Sequence, residues 1–327
     1  MSQATFDVVA VESEENLWTD STLLSRTLFR PQPRIPEYYG YDDRGSRLFE
    51  DVTRLPQYYP TRVEQALLDV VAPEIAETVA GGPLVELGSG SAKKTGVLLR
   101  ACAKYADPHF VPLDVSASMM RHSFETLSQT VPGLRVTGVV GRYERTLTAL
   151  SRKDFGRRCV TALGSNIGNM LPEERLELLA LICGELRAGE YFFVTADLTK
   201  SKSMLEHAYN DPPTDRTHTD FRLNRLIHLN RLYGASFPLE RFHEFARYDV
   251  EHARIEVHLH SPEPQTIDLG SLNAQLSLAA GDTIVVDYSC KFEIDALCAE
   301  VGALGCELLR TWTDPRYRYG AFFFRKR

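Results

Sequence analysis

The 327-residue chain contains no run of about 18 apolar residues, so it offers nothing that would cross a bilayer as a helix. It has no basic excess either. Lys and Arg number 37 against 44 Asp and Glu, a formal net charge of −7, which leaves no field to recruit a polyanion. The Arg325-Lys326-Arg327 end reads as a solvated terminus rather than a nucleic-acid arm. Six cysteines (Cys102, Cys159, Cys183, Cys290, Cys298, Cys306) occur without a C-x-x-C pair and are expected as reduced, mostly buried thiols. The opening segment lacks a basic stretch followed by an apolar one, so no secretory signal is expected and the cytoplasm is the expected location. Internal repeats and low-complexity segments are also missing. What remains is 43% hydrophobic and 25% charged, a globular composition. At roughly 150 residues per domain the length suggests about two domains.

The middle of the chain alternates short apolar runs with helical patterns. PLVELG (83–88), HFVPLDV (109–115), LRVTGVVG (134–141), CVTALGS (159–165) and YFFVTADL (191–198) read as strands of a parallel sheet covered on both faces. The clearest helix is 172–188. Pro172 suits its first position, Glu173 and Glu174 suit its positive end, and Gly189 follows as a stop. This alternation predicts a doubly wound α/β sheet with ligands beyond the carboxyl ends of its strands. After Thr199 the rhythm changes: a helix containing FRLNRLIHLNRLY precedes strands RIEVHLH (254–260) and TIVVDYSCKF (283–292), with turns at PEPQ and GSLN. A helix at 293–303 and a hairpin then close the chain. The expected division is 63–198 with 289–327 as an α/β core, and 1–62 with 199–288 as an α+β second domain. The seam between two such domains is the expected ligand site.

The strongest local motif is VELGSGSAKKT (85–95), at the end of the first core strand. Gly88 and Gly90 permit tight turning and close backbone approach, and Glu86, Ser89 and Ser91 add polar groups. Three readings compete. A dinucleotide fingerprint lacks its third glycine, because position 93 is Lys; a P-loop fails at the same position. The third reading is the E-x-G-x-G loop of S-adenosylmethionine-dependent methyltransferases, whose ligand carries an ammonium that Glu86 would favour. The next strand should then end in a carboxylate for two ribose hydroxyls, and Asp114 stands there. Its structural alternative is a cap for a helix over 116–130.

Five segments in chain order, YYGYDDRGSRLFEDVTRLPQYYPTR (38–62), VELGSGSAKKT (85–95), LGSNIGN (163–169), AYND (208–211) and YSCKF (288–292), resemble the histidine-specific N-methyltransferase family of ergothioneine biosynthesis. The resemblance implies a class I methyltransferase core, S-adenosylmethionine as methyl donor, S-adenosylhomocysteine as its product, and a free amino acid as substrate. It implies that Tyr41 and Tyr58 line the substrate pocket, that Asn169 holds the amino acid backbone, that Tyr209 binds the carboxylate, and that Ser289 lies near the side chain. Tyr41, Asn169 and Tyr209 would present the reacting amine. Glu86, Gly88, Ser89, Gly90, Lys94, Asp114 and Tyr143 fall at cofactor positions. Each has a plainer alternative: Tyr58 as packing, Asn169 as a cap for the helix at Pro172, Tyr209 as helix packing.

Three positions depart from the family pattern. The histidine-selecting glutamate, two residues before the serine, is Asp287; a methionine on a neighbouring strand is Val257; and the acid usually found after the third strand, where it meets the adenine amino group, is Arg142. An arginine has donors only and cannot accept from that amine. The leading expectation is methylation of the α-amino group of L-histidine to its trimethylated betaine, hercynine. Arginine, tryptophan or tyrosine as substrate, or a non-catalytic cofactor-binding module, are the alternatives. A monomer acting on a small molecule is expected, with no nucleic-acid or membrane partner. No metal site is expected: His258 and His260 share a strand face but no completing motif lies nearby, and both read as surface residues of a half-exposed strand.

Overall fold

The computed structural model describes residues 4–12, 18–151 and 156–327. Among them thirteen strands occur in chain order: β1 (Thr5–Ala10), β2 (Leu84–Leu87), β3 (His109–Asp114), β4 (Arg135–Val140), β5 (Cys159–Ala162), β6 (Tyr191–Asp197), β7 (His243–Asp249), β8 (Arg254–His260), β9 (Gln265–Asp268), β10 (Gln275–Leu278), β11 (Thr283–Cys290), β12 (Cys306–Asp314) and β13 (Tyr319–Lys326). The chain divides into two compact units. Unit 1 comprises residues 1–17, 60–199 and 291–327, and unit 2 comprises residues 18–59 and 200–290.

Unit 1 is built on one eight-stranded sheet in the order β1-β4-β3-β2-β5-β6-β13-β12. From β1 to β6 every pairing is parallel; β13 and β12 run antiparallel and form the closing hairpin. Leaving out β1, this is the strand order of class I methyltransferases, a Rossmann-like doubly wound sheet ending in an antiparallel hairpin. The physical cause lies in the strands themselves. Every residue of β2, β5 and β6 is buried, as a strand with both faces covered requires. The helix Tyr59–Val79 contributes Leu68, Val71, Ala72 and Ile75 to a core with Leu84, Leu98, Phe110 and Phe193. Each such Leu, Val, Ile or Phe side chain contributes about 1.5–3 kcal/mol by leaving water.

The expected helix at 172 runs Pro172–Glu185, with the Leu171 N–H donating to the Glu174 carboxylate at 2.9 Å. It ends earlier than expected. Leu186 is already extended, and Gly189, at φ +83°, turns the chain towards β6 instead of stopping the helix. A second difference concerns the N-terminus, expected wholly within the second domain. Residues 5–10 instead form β1, in register with β4 from Thr5 opposite Arg135 to Ala10 opposite Val140. This edge strand has no buried residue and only the short apolar run Val8-Val9-Ala10, so its pattern is weak.

Unit 2 has its own core. Leu24, Leu28, Ile35 and Tyr39 pack with Leu226, Leu229, Ile255, Val257, Leu259 and Ile284. Its elements are the helix Thr217–Tyr233, a three-stranded antiparallel sheet β11-β8-β7 and a β9–β10 hairpin. β11 carries a bulge: Val285 faces His258 but Asp287 faces Val257, so Val286 is the extra residue.

Candidate functional site

In unit 1 the chain leaves β2 through Gly88 (φ +65°) and Gly90 (φ +48°), a left-handed backbone that suits glycine. The two glycines are needed for different reasons. A Cβ on Gly88 would stand 2.5 Å from the Tyr143 phenol oxygen, whereas no protein atom lies within 4 Å of a Cβ on Gly90. Gly90 therefore presents bare backbone to open space. Its N–H donates to Asp114 Oδ2 at 2.9 Å, and its carbonyl accepts from Ser123 Oγ at 2.7 Å.

Asp114 ends β3 and is held by the backbone donors Gly90 and Ser116, the latter at 3.1 Å to Oδ1. Burial raises its carboxyl, opposed by these N–H groups. It does not cap the following helix; Ser116 does, accepting from the Met119 N–H at 3.2 Å. A carboxylate has about four acceptor directions, so the backbone N–H groups of Gly90, Ser116 and Val115 still leave Asp114 acceptor capacity.

Glu86 is buried within β2, and Thr95 Oγ1 donates to its carboxyl. Burial pushes its pKa up to about 8, against the Thr95 bond and the Lys94 charge. At neutral pH it is mainly a neutral acid, which differs from the charged partner the sequence suggested. The Lys94 ammonium is engaged at 2.7 Å by Glu64. Glu64 also accepts from the Gly164 N–H at 2.6 Å and from Thr195 Oγ1. This buried carboxylate ties the glycine loop to the loop after β5 and to β6. Sequence reasoning missed Glu64, although it lies on the helical stripe Glu64-Leu68-Val71-Ile75, where one acid among apolar residues is a legible signal.

The same loop after β5 supplies another missed residue. Asn166 Nδ2 donates to the Leu87 carbonyl at 2.8 Å, while Asn166 Oδ1 and Ser89 Oγ are buried without a partner among the described residues. Two orphaned polar atoms beside an open glycine backbone and a ribose-type carboxylate fit a polar, adenosyl-bearing ligand. Asn169 follows on a 3-10 turn, its N–H donating to the Asn166 carbonyl at 3.0 Å. It does not cap the helix at Pro172. Arg142, expected at the adenine edge, is bound instead by Glu12: its N–H donates to Oε2 at 2.9 Å and its guanidinium to Oε1 at 3.0 Å.

Unit 2 assembles the other predicted residues. The Tyr209 hydroxyl and Ser289 Oγ are 2.8 Å apart. The Tyr58 ring lies edge-on to Tyr209 at 5.6 Å and to His218 at 5.9 Å. Burial and the Arg222 charge push His218 down to about 3, so this ring is neutral. The AYND motif explains how Tyr209 is fixed. Asn210 exchanges two hydrogen bonds with the Ala246 backbone, and Asp211 accepts from the N–H groups of His218 and Thr219 at 2.8 Å. The Tyr41 ring sits between Phe49 and Phe221, each at 5.5 Å, and its phenol is raised by burial and by the Asp287 charge.

Asp287 lies directly across from Val257, so two of the departures from the family pattern share one face. Arg225 Nη2 reaches Asp287 Oδ2 at 3.2 Å from the helix Thr217–Tyr233. Arg225 was also missed; its segment reads as an ordinary charged helix. His258, expected at the surface, is buried: it stacks on Phe245 at 5.3 Å and lies 3.1 Å from the Glu256 carboxylate. Among the described residues no three His, Cys, Asp or Glu gather as for a metal ion. No helix there is long and apolar enough to cross a membrane.

The comparisons with known proteins agree with this architecture. Residues 20–326 match the family model described as histidine-specific methyltransferase, SAM-dependent. The chain is 36% identical over 287 residues to a histidine N-alpha-methyltransferase of Mycobacterium tuberculosis, covering 88% of both chains. It is 34% identical over 288 residues to its counterpart in Mycolicibacterium smegmatis, again covering 88% of both. An N-methyltransferase of Aspergillus flavus is 25% identical over 297 residues, covering 88% of this chain and 79% of that one. With the match spanning both units, the chain belongs to the S-adenosylmethionine-dependent histidine-specific methyltransferase family.

Proposed function

We propose that this enzyme methylates the α-amino nitrogen of free L-histidine, in repeated rounds to the trimethylated betaine. The observation that carries the reading is the open Gly88–Gly90 backbone beside Asp114 and the orphaned Ser89 and Asn166 oxygens, in a chain 36% identical to a histidine N-alpha-methyltransferase.

In this reading Asp114 accepts the ribose hydroxyls, and Gly88, Ser89, Gly90 and Tyr143 line the donor site. Glu86 and Lys94 hold the loop's shape through Thr95 and Glu64. When bound, S-adenosylmethionine supplies a methyl group already activated on a sulfonium, so the protein need not build a nucleophile. The residues' task is positioning. Asn169, Tyr209 and Tyr41 orient the amino acid by its carboxylate and amine, and Tyr58, Asp287 and Ser289 read its side chain. An α-ammonium has no free lone pair, so its proton leaves to solvent before transfer. Tyr41, raised above its ordinary range, stays protonated and serves as a donor.

The test is S-adenosylhomocysteine release with each free amino acid, coupled to mass analysis of the product. Histidine-dependent release is expected. No release with any amino acid or amine would overturn the reading. We place the reaction in the cytoplasm and on a monomer; light scattering at working concentration checks the latter.

A further inference from the structure

The Arg225 guanidinium is fully buried in unit 2. Its Cζ lies 5.0 Å over the Phe221 ring, and a Cβ on Gly40 would stand 2.8 Å from it, so the Gly40 backbone packs directly against the cation. Only Nη2 has a partner among the described residues, Asp287 Oδ2; Nε and Nη1 have none. A buried cation with two unmet donors is a poor contributor to stability, because desolvation opposes it and apolar residues of similar volume do as well or better. The arrangement calls for a reason other than folding.

We propose that Arg225 sets the charge of the side-chain pocket, cancelling that of Asp287 so that the site takes an amino acid whose side chain is uncharged and refuses a cationic one. This rests on the functional reading above and deepens it. Asp287 alone would invite arginine or lysine, as the sequence suggests. With a guanidinium at 3.2 Å, an incoming second cation meets both signs at once and is left with a desolvation cost that no net attraction offsets. Arg225 engages only one carboxylate oxygen, so Oδ1 can still accept an N–H. A neutral imidazole has one such donor, and Ser289, its Oγ 2.8 Å from the Tyr209 hydroxyl, lies on the same strand face two residues on. Arg225 acts through Asp287 and is thus a positioning residue.

The experiment compares kcat/KM for histidine, arginine and lysine in the wild type, Arg225→Leu and Arg225→Lys. The wild type is expected to prefer histidine over both cations. Arg225→Leu should raise the arginine-to-histidine ratio by about tenfold or more, because the carboxylate is no longer neutralised. Arg225→Lys, which keeps the charge, should preserve the wild-type ratio. A folded Arg225→Leu enzyme with an unchanged ratio, or a wild type that prefers arginine, would overturn the proposal and leave the methyltransferase reading intact. Wild-type failure on every amino acid would instead remove that reading and this proposal with it. Should Arg225→Leu fail to fold, Arg225→Gln, which keeps a donor towards Asp287 but not the charge, decides: an arginine-to-histidine ratio that rises supports the proposal, and one that stays or falls overturns it.

Discussion

Asp287 and Val257 face each other across β11 and β8, at the position where the Val286 bulge shifts the register. A shorter acid and a smaller wall therefore act on the same volume. Replacing Val257 by Met should refill it. Val257 is buried, so the added atoms must lie in the pocket or strain the core; overpacking costs about 1–3 kcal/mol. Val257→Met is expected to lower turnover of tryptophan and tyrosine relative to histidine. Competition assays with mixed amino acids, beside thermal unfolding, separate the pocket effect from a stability effect.

The Tyr209–Ser289 hydrogen bond joins the helix Lys202–Tyr209 to β11 at 2.8 Å. Tyr209→Phe keeps the ring against Tyr58 and removes the hydroxyl. The fold should survive with a loss of about 1 kcal/mol. The reaction should suffer more, with kcat/KM for histidine falling by about 10- to 100-fold as the amine loses its alignment. Steady-state kinetics and circular dichroism of the same preparation check both halves.

Glu86 gives a pH test with a definite sign. Its pKa rises from an ordinary 4.5 to about 8 in the folded chain, so between those values the folded state holds a proton that the unfolded state releases. This group therefore weakens folding progressively as pH climbs through that window, by up to about 1.4 kcal/mol per unit, and adds nothing below it. Glu86→Gln cannot ionise. Urea unfolding at pH 5 and pH 8 should show the variant gaining on the wild type at the higher pH, by about 2 kcal/mol or more. Equal differences at both pH values would show that the buried acid is already ionised.

Which features were legible in the sequence follows from burial. β2, β3, β5 and β6 are continuous apolar runs and stand out. β1, β9 and β10 do not, since they are short or half exposed and are made by pairing rather than by pattern. Among site residues, Asp114 and the two glycines are visible because their place after a strand defines them. Arg225 is not. Within FRLNRLIHLNRLY it looks like a residue of a solvated face, and only the packing of Gly40 and Phe221 around it makes it interior. Asn166 was hidden by Asn169, its neighbour in the same motif, because spacing cannot tell which amide keeps an unmet oxygen.

Glu64 predicts a loss of both stability and cofactor affinity. Its carboxylate receives Lys94, the Gly164 N–H and Thr195. Glu64→Ala leaves the Lys94 ammonium, itself about a quarter exposed, without its partner, and leaves the buried Thr195 hydroxyl and the Gly164 N–H without their acceptor. A stability loss of about 3–5 kcal/mol is expected. Glu64→Gln keeps an acceptor but not the charge and should lose less stability. In both variants S-adenosylhomocysteine binding, measured by calorimetry below the unfolding transition, should weaken as the glycine loop loses its tie.

Glu12 offers the last test, at the position where the family pattern has an acid and this chain has Arg142. The Glu12 carboxylate reaches that point from the segment following β1. It accepts from the Arg142 N–H and guanidinium, and Arg145 Nε lies 3.0 Å away. Burial pushes its pKa up, but the Arg142 hydrogen bonds and the two arginine charges outweigh burial and hold it below the ordinary carboxylate range. The group should thus stay ionised through neutral pH, which puts an acid from another part of the chain beside the end of β4. Glu12→Ala removes the acceptor of the Arg142 N–H and Nη2 and loosens the backbone that follows β4. S-adenosylhomocysteine binding is expected to weaken by about 5- to 10-fold, the worth of about one ordinary hydrogen bond. The histidine KM should change less than the cofactor affinity, because Glu12 is not among the residues that hold the amino acid in this reading. If both change together, Glu12 supports the fold of unit 1 as a whole; if neither does, the adenine edge is formed without it.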